Sequence, residues 1–91
     1  MSNHKTPGEA EIHLKETDII FCLDGEAEFV TGGQAINAKQ TEPNELRGSS
    51  ISGGATRIIK GGDILIIPAG IPHWFKAVHS AFNYSVVKIP Q

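Results

Sequence analysis

Four residues have side chains and a spacing suited to binding a metal ion: Glu11, His13, Asp18 and His73. Glu11 and His13 are two residues apart, so on a β-strand their side chains point to the same face. Asp18 follows across a turn-forming stretch, residues 15–17, and a hairpin there would return it beside His13. Imidazole and carboxylate groups bind Fe, Mn, Ni, Co, Cu and Zn. The pattern therefore predicts a site for one divalent transition metal.

His73 lies near the end of a segment, residues 62–74, whose sequence predicts a strand between two turns. Ile64–Ile67 form a continuous apolar run, which favours a strand buried in the core of an all-β fold. Pro68 and Gly70 form the second turn, because proline fixes φ and glycine allows positive φ. We therefore expect His73 at the beginning of the next strand, at the mouth of the fold.

The spacing G-x5-P-x-G-x2-H in this segment resembles the second signature motif of the cupin superfamily. Here the motif consists of Gly62, Pro68, Gly70 and His73. The family usually has an asparagine four residues after the histidine, and this chain has Ala77 there. Four spaced constraints match in order, which makes the resemblance specific.

The resemblance extends upstream, where the family motif is G-x5-H-x-H-x3,4-E-x6-G. With Gly25 as the last position, His13 matches the second histidine. Asp18 stands where the family has glutamate, Glu11 replaces the first histidine and Lys5 replaces the opening glycine. The resemblance implies a ligand set of two histidines and two carboxylates. Aspartate is one methylene shorter than glutamate, and if Asp18 does not reach the ion the set becomes a facial triad.

Three further residues are candidates for a substrate pocket. Phe75 lies two residues after His73 and shares its face of the predicted strand. Arg47, in a polar stretch of the chain, could bind a carboxylate or phosphate group of a substrate. Tyr84 could present its hydroxyl group to the interior of the fold.

Frequent turn signals separate short runs of β-branched and aromatic residues, which predicts an all-β fold. The predicted strands lie near residues 10–15, 19–23, 26–31, 34–39, 55–60, 63–67, 72–77 and 81–88. Residues 40–54 are interpreted as a long polar loop or a hairpin extension. The resemblance, from about residue 10 to residue 88, implies a small double-stranded jelly-roll β-barrel of the cupin type. We divide the chain into an N-terminal tail, residues 1–9, and one cupin-like barrel domain, residues 10–91.

The composition is that of a single soluble domain: 91 residues, 40% hydrophobic, 20% charged, with a net charge of −2. The eight lysines and arginines are scattered, so we expect no nucleic-acid partner. No apolar stretch approaches the roughly 20 residues that cross a bilayer, so we expect no membrane partner. The N-terminus lacks a signal-peptide pattern, and we expect a cytoplasmic protein. The single cysteine, Cys22, is expected to be a buried structural thiol.

The resemblance leaves two classes of function open. One is a metal-dependent enzyme acting on a small-molecule substrate, of the dioxygenase, isomerase, decarboxylase or lyase class. The other is a non-catalytic small-molecule-binding or sensor barrel with a degenerate metal site, which the departures at Glu11, Asp18 and Ala77 mildly favour. Few residues precede the first motif, which would leave a sheet edge exposed. Either the domain is minimal or a second protomer covers this edge, and we expect a homodimer.

Overall fold

The protein is all-β, as its sequence predicts. The computed structural model describes residues 8–91 and the backbone of residues 2–4. The strands are β1 (Ser2–His4), β2 (Ala10–His13), β3 (Glu16–Thr31), β4 (Gln34–Ile36), β5 (Lys39–Glu42), β6 (Glu45–Gly48), β7 (Ser50–Ser52), β8 (Ala55–Lys60), β9 (Ile64–Ile67) and β10 (His73–Pro90). Across this part of the chain, no helix is long and apolar enough to cross a membrane.

The strands form one antiparallel sheet of eight strands and a second sheet of two. The order in the large sheet is β5-β6-β2-β10-β3-β8, with β1 paired to β10 and β9 paired to β3, while β4 pairs with β7. In the described residues β5 and β8 do not pair with each other, so the closed barrel implied by the resemblance is not present. Eight of the strands are only three to six residues long. Four of them pair with part of a long strand, β1 and β2 with β10 and β8 and β9 with β3.

Strands β3 and β10 form a long two-stranded ribbon at the centre of the sheet. They have 16 and 18 residues and pair from His73 with Thr31 to Pro90 with Glu16. A straight strand of 16 residues would span about 53 Å at ~3.3 Å per residue. The longest dimension of the molecule is 30 Å, so the ribbon must bend back on itself. One half of β3 pairs with β9 and the other half with β8.

The bend of the ribbon coincides with irregular pairing and with Gly25. The β3–β10 register shifts four times between Phe75 and Tyr84, and such bulges bend a strand and increase its twist. Gly25 has a φ of 89°, a conformation that side chains with a Cβ rarely adopt. A Cβ atom at this position would overlap the carbonyl oxygen of Ala81 on β10. The close approach of the two backbones therefore requires glycine.

The main hydrophobic core lies between the two halves of the bent ribbon. Its buried residues are Ile20, Cys22, Ala27, Phe29, Ile59, Ile67, Phe75 and Phe82. Burial raises the pKa of the Cys22 thiol to about 11, which keeps this thiol protonated and unreactive near neutral pH. A smaller cluster contains Ala10, Val30 and Ile51, with Trp74 packed against it. The indole Nε1 of Trp74 donates a hydrogen bond of 2.9 Å to the carbonyl oxygen of Gly8.

The prediction that Ile64–Ile67 are buried together is wrong. Ile64 and Ile66 are 62% and 67% exposed, whereas Ile67 is 3% exposed and Leu65 is partly buried. The reason is the pairing of β9 with β3, in which alternate side chains face opposite sides of the sheet and only one side packs on the core. The apolar run therefore supplies one core face and one exposed apolar face.

Strands also form in two stretches outside the strands predicted from the sequence. Residues 40–54 contain most of β5 and all of β6 and β7, so the hairpin-extension alternative applies. Residues 1–9, interpreted as a tail, include β1, whose backbone pairs with residues 82–84 of β10.

The two faces of β9 lead to a prediction about stability. Ile67→Ala should lower the free energy of unfolding by about 2–5 kcal/mol, because it leaves a cavity in the core. Ile66→Ala, the matched control on the same strand, should lower it by less than about 1 kcal/mol. Urea unfolding followed by tryptophan fluorescence measures both values. Equal losses in the two variants would contradict the exposure of Ile66.

The bend of the ribbon leads to a second prediction, which compares two glycines with positive φ. Gly62 has a φ of 97° and no atom within 4 Å of a built Cβ, so Gly62→Ala should cost about 1–2 kcal/mol of stability from backbone conformation alone. Gly25→Ala adds the overlap with Ala81 and should be far more destabilising. Thermal unfolding by circular dichroism checks this, and similar melting temperatures for the two variants would show that the overlap is relieved without cost.

Candidate metal centre

Glu11 and His13 lie on β2, the short strand between β6 and β10. Their side chains share one face of β2, and His13 Nε2 is 3.3 Å from Glu11 Oε1. The register pairs Glu11 directly with His73, the first residue of β10. Cross-strand neighbours of this kind have Cβ atoms only about 4.5–5.5 Å apart. The strand pairing therefore brings the two sequence motifs into contact.

His73 is buried and its ring orientation is fixed by the backbone. Its Nδ1 lies 3.3 Å from the carbonyl oxygen of Ile71, in the turn that precedes β10. With Nδ1–H donating to this oxygen, the lone pair of the ring is on Nε2, which faces the other site residues. The ring packs 6.2 Å from the ring of Phe29 and 5.3 Å from the ring of His13, measured between centroids.

Glu11, His13 and His73 together form a group that could hold a metal ion. Each offers one ligand atom, and these three atoms all lie within 4.8 Å of one another. Ligand atoms about 2.1 Å from a common ion lie roughly 3–3.5 Å apart, so small side-chain movements would suffice. Two imidazole nitrogens and one carboxylate oxygen are the donor set of a facial triad, which leaves coordination positions open. The residues present therefore fit a divalent transition metal.

Asp18 reaches the same cluster but is held by a cation. Its Oδ2 lies 3.6 Å from His13 Nε2 and 3.7 Å from His73 Nε2. Its Oδ1 accepts a hydrogen bond of 3.0 Å from the Nζ of Lys88, which is its register partner on β10. Asp18 is not part of the three-residue group, and its carboxylate lies between the two histidines and the ammonium of Lys88.

Arg47 contacts Glu11 but does not line the cavity beside the metal group. It is the register partner of Glu11 on β6, and its Nη2 lies 3.8 Å from Glu11 Oε1. Its Nε donates a hydrogen bond of 2.7 Å to Glu45, and its Nη1 lies 3.7 Å from Glu9. Arg47 therefore forms ion pairs with three glutamates, Glu9, Glu11 and Glu45.

A cavity of about 210 Å³ opens onto the metal group. Its lining residues are Glu11, His13, Asp18, Ile20, His73, Phe75, Tyr84, Val86 and Lys88. Phe75 and Tyr84, both expected near the pocket from the sequence, lie on one wall with their ring centroids 5.1 Å apart. Arg47 is not among these lining residues. The cavity therefore has a charged end at the metal group and a wall of aromatic and aliphatic side chains.

Sequence reasoning did not single out Lys88. Alternation along a strand predicts which side of the sheet a residue faces only when the register is continuous. The four register shifts in β10 lie between His73 and Lys88. The side of the sheet that Lys88 faces could therefore not be derived by counting residues from His73. The only signal in the sequence is a cationic residue in an otherwise apolar strand end.

The three candidate ligands influence the protonation of one another. The hydrogen bond from His13 lowers the pKa of Glu11, against the opposing effect of burial. The same hydrogen bond raises the pKa of His13. Burial lowers the pKa of His73, which favours the neutral imidazole that a metal ion requires.

A family model described as Cupin matches residues 9–91, nearly the whole chain. No curated protein and no solved structure matches the chain.

The raised pKa of His13 and the lowered pKa of His73 predict separate titrations of the two histidines in the metal-free protein. His13 should titrate above about pH 6.5 and His73 below it. Glu11→Gln should lower the pKa of His13, because the carboxylate partner is lost. Imidazole ¹⁵N and ¹H NMR shifts, recorded from pH 4 to pH 9, give both pKa values.

The two histidines should also affect stability in opposite directions. The contribution of His13 is present below about pH 6.5 and is lost as the pH rises through its raised folded-state pKa. The contribution of His73 is present above about pH 6.5 and is lost as the pH falls toward its lowered pKa. A common pKa for both rings would contradict the hydrogen bond between Glu11 and His13.

Proposed function

Because this chain belongs to the cupin family, we propose that it binds one divalent transition metal and uses it to act on a small-molecule substrate. The observation that supports this most directly is the grouping of one ligand atom each from Glu11, His13 and His73 within 4.8 Å, beside a cavity. The reaction would be of the dioxygenase, isomerase, decarboxylase or lyase class. The metal is one of Fe, Mn, Ni, Co, Cu and Zn.

In this proposal the residues of the chain have distinct roles. A bound ion would supply Lewis acidity or a shared binding position for O₂ and substrate. The Ile71 carbonyl oxygen orients His73, and Arg47 stabilises the charge of Glu11 from the side away from the cavity. Phe75 and Tyr84 form the wall that excludes water and contacts the non-reacting part of the substrate. Asp18, a carboxylate beside the triad, is positioned to act as a general base.

One observation favours the alternative of a non-catalytic binding or sensor protein. Asp18 stands where the family has a glutamate ligand, and its carboxylate is engaged by Lys88. A site that has lost one ligand in this way would bind metal more weakly. The cavity would then hold a small molecule without a metal-dependent reaction.

The expected homodimer and the cytoplasmic location stay predictions. The outer edges of β5 and β8 and the exposed side chains of Ile64 and Ile66 are features that a second copy could cover. Sedimentation velocity measures the oligomeric state directly.

The metal content of the purified protein tests the proposed function. We expect about one equivalent of a divalent transition metal in the wild type by elemental analysis. His73→Ala and Glu11→Gln should weaken metal binding by at least about 100-fold in calorimetric titrations, because even outer-sphere substitutions cost about 10–100-fold. His79→Ala is the matched control, since His79 is exposed and pairs with Glu28 away from the cavity.

Two results would overturn the proposal. Absence of binding after incubation of the wild type with divalent ions would move the assignment to the non-catalytic alternative. Equal loss of affinity in His79→Ala and His73→Ala would show that the bound metal lies elsewhere.

A further inference from the structure

Lys88 places a cationic group in the wall of the cavity. Its Nζ donates a hydrogen bond of 3.0 Å to the buried carboxylate of Asp18, and its own side chain remains 43% exposed. Among the described residues that line the cavity, it is the only lysine or arginine. The ammonium is therefore available both to Asp18 and to a molecule that enters the cavity.

The charges in the cavity do not balance once an ion is bound. Among the residues that line the cavity, Glu11 and Asp18 contribute two negative charges and Lys88 one positive charge, while ligating histidines are neutral. The Arg47–Glu45 ion pair, which does not line the cavity, adds no net charge. A divalent ion adds two positive charges, which leaves a net charge of about +1 in a partly enclosed site. Without Lys88, the two carboxylates and the ion would be neutral together. An uncompensated charge away from water is costly, so the loaded site favours a ligand with one negative charge.

The carboxylate of Asp18 shows the span that such a ligand would have to bridge. One of its oxygens contacts Lys88 Nζ, and the other lies 3.6 and 3.7 Å from the Nε2 atoms of His13 and His73. The ammonium and the metal group are thus about one carboxylate group apart. A carboxylate of a ligand beside Asp18 would contact both the ammonium of Lys88 and the bound ion.

The size and walls of the cavity limit the rest of the ligand. A volume of about 210 Å³ corresponds to roughly seven water molecules at ~30 Å³ each. Ile20, Phe75 and Val86 form the apolar part of the wall. A short carbon chain or a small substituent fits this part of the cavity, and a drug-sized molecule does not.

We propose that Lys88 makes this site selective for small carboxylic acids, with the ligand carboxylate held between the bound metal and the ammonium group. This inference rests on the proposed metal function. Lys88 is a specificity-determining residue in this proposal, and it also opposes metal binding because it neutralises Asp18 and repels the ion. Lys88 therefore strengthens the binding of a carboxylate ligand and weakens the binding of the metal.

The test uses the protein loaded with Co(II), whose visible absorption bands report its ligands. Lactate should change these bands with saturation, and lactamide, a neutral molecule of the same shape, should bind at least about tenfold more weakly. This comparison is made on the wild type, so it needs no substitution.

Substitution of Lys88 then assigns the selectivity to one residue. Lys88→Met should weaken lactate binding by about tenfold or more, because a hydrogen bond to a charged group is lost. The same variant should bind Co(II) as tightly as the wild type or several-fold more tightly. Lys88→Arg should retain lactate binding, and Lys76→Met, an exposed lysine on the same strand outside the cavity, should change neither affinity.

The outcomes separate this inference from the proposed function. If the wild type does not bind Co(II), the metal function fails and this inference fails with it. If Co(II) binds but lactate and lactamide bind equally, the metal function stands and the selectivity for carboxylates is refuted. Unchanged lactate affinity in Lys88→Met refutes the role of Lys88. Parallel losses of metal and lactate affinity in that variant indicate a structural role and also refute it.

Discussion

The bend of the β3–β10 ribbon is the constraint on which the rest of the structure depends. His73 and Lys88 lie near opposite ends of β10, yet both reach the side chain of Asp18. They can do so only because the ribbon folds back where Gly25 lies against the backbone of Ala81. The same bend presses the two halves of the ribbon together and creates the main core. Core and candidate metal centre are therefore consequences of one feature of the backbone.

The sequence predicted the candidate site better than it predicted the pocket around it. Glu11, His13, Asp18 and His73 were identified from spacing, and the structure brings their side chains together. Two-residue alternation and the turn before His73 are local properties, which is why they can be read from the chain. Lys88 was missed because its position opposite Asp18 depends on the register of two strands, which is set by the bulges at the bend.

The errors in the fold prediction have the same physical origin. An apolar run such as Ile64–Ile67 shows that a strand forms, but its burial depends on what packs on each side of the sheet. Closure into a barrel likewise depends on how far the short strands reach along the ribbon. The all-β class follows from local turn signals and strand propensity, whereas the arrangement of the sheets follows from contacts between distant parts of the chain.

The position of β2 has a consequence for how the protein unfolds. Two of the candidate donors lie on this four-residue strand and the third lies at the beginning of β10, far away in the sequence. An ion shared by the two strands would act as a reversible cross-link that closes a long loop of the chain. Because such an ion would bind the folded chain and be released when β2 and β10 separate, metal occupancy would stabilise the folded state. The resistance of the protein to proteolysis would then report the supply of metal in its surroundings.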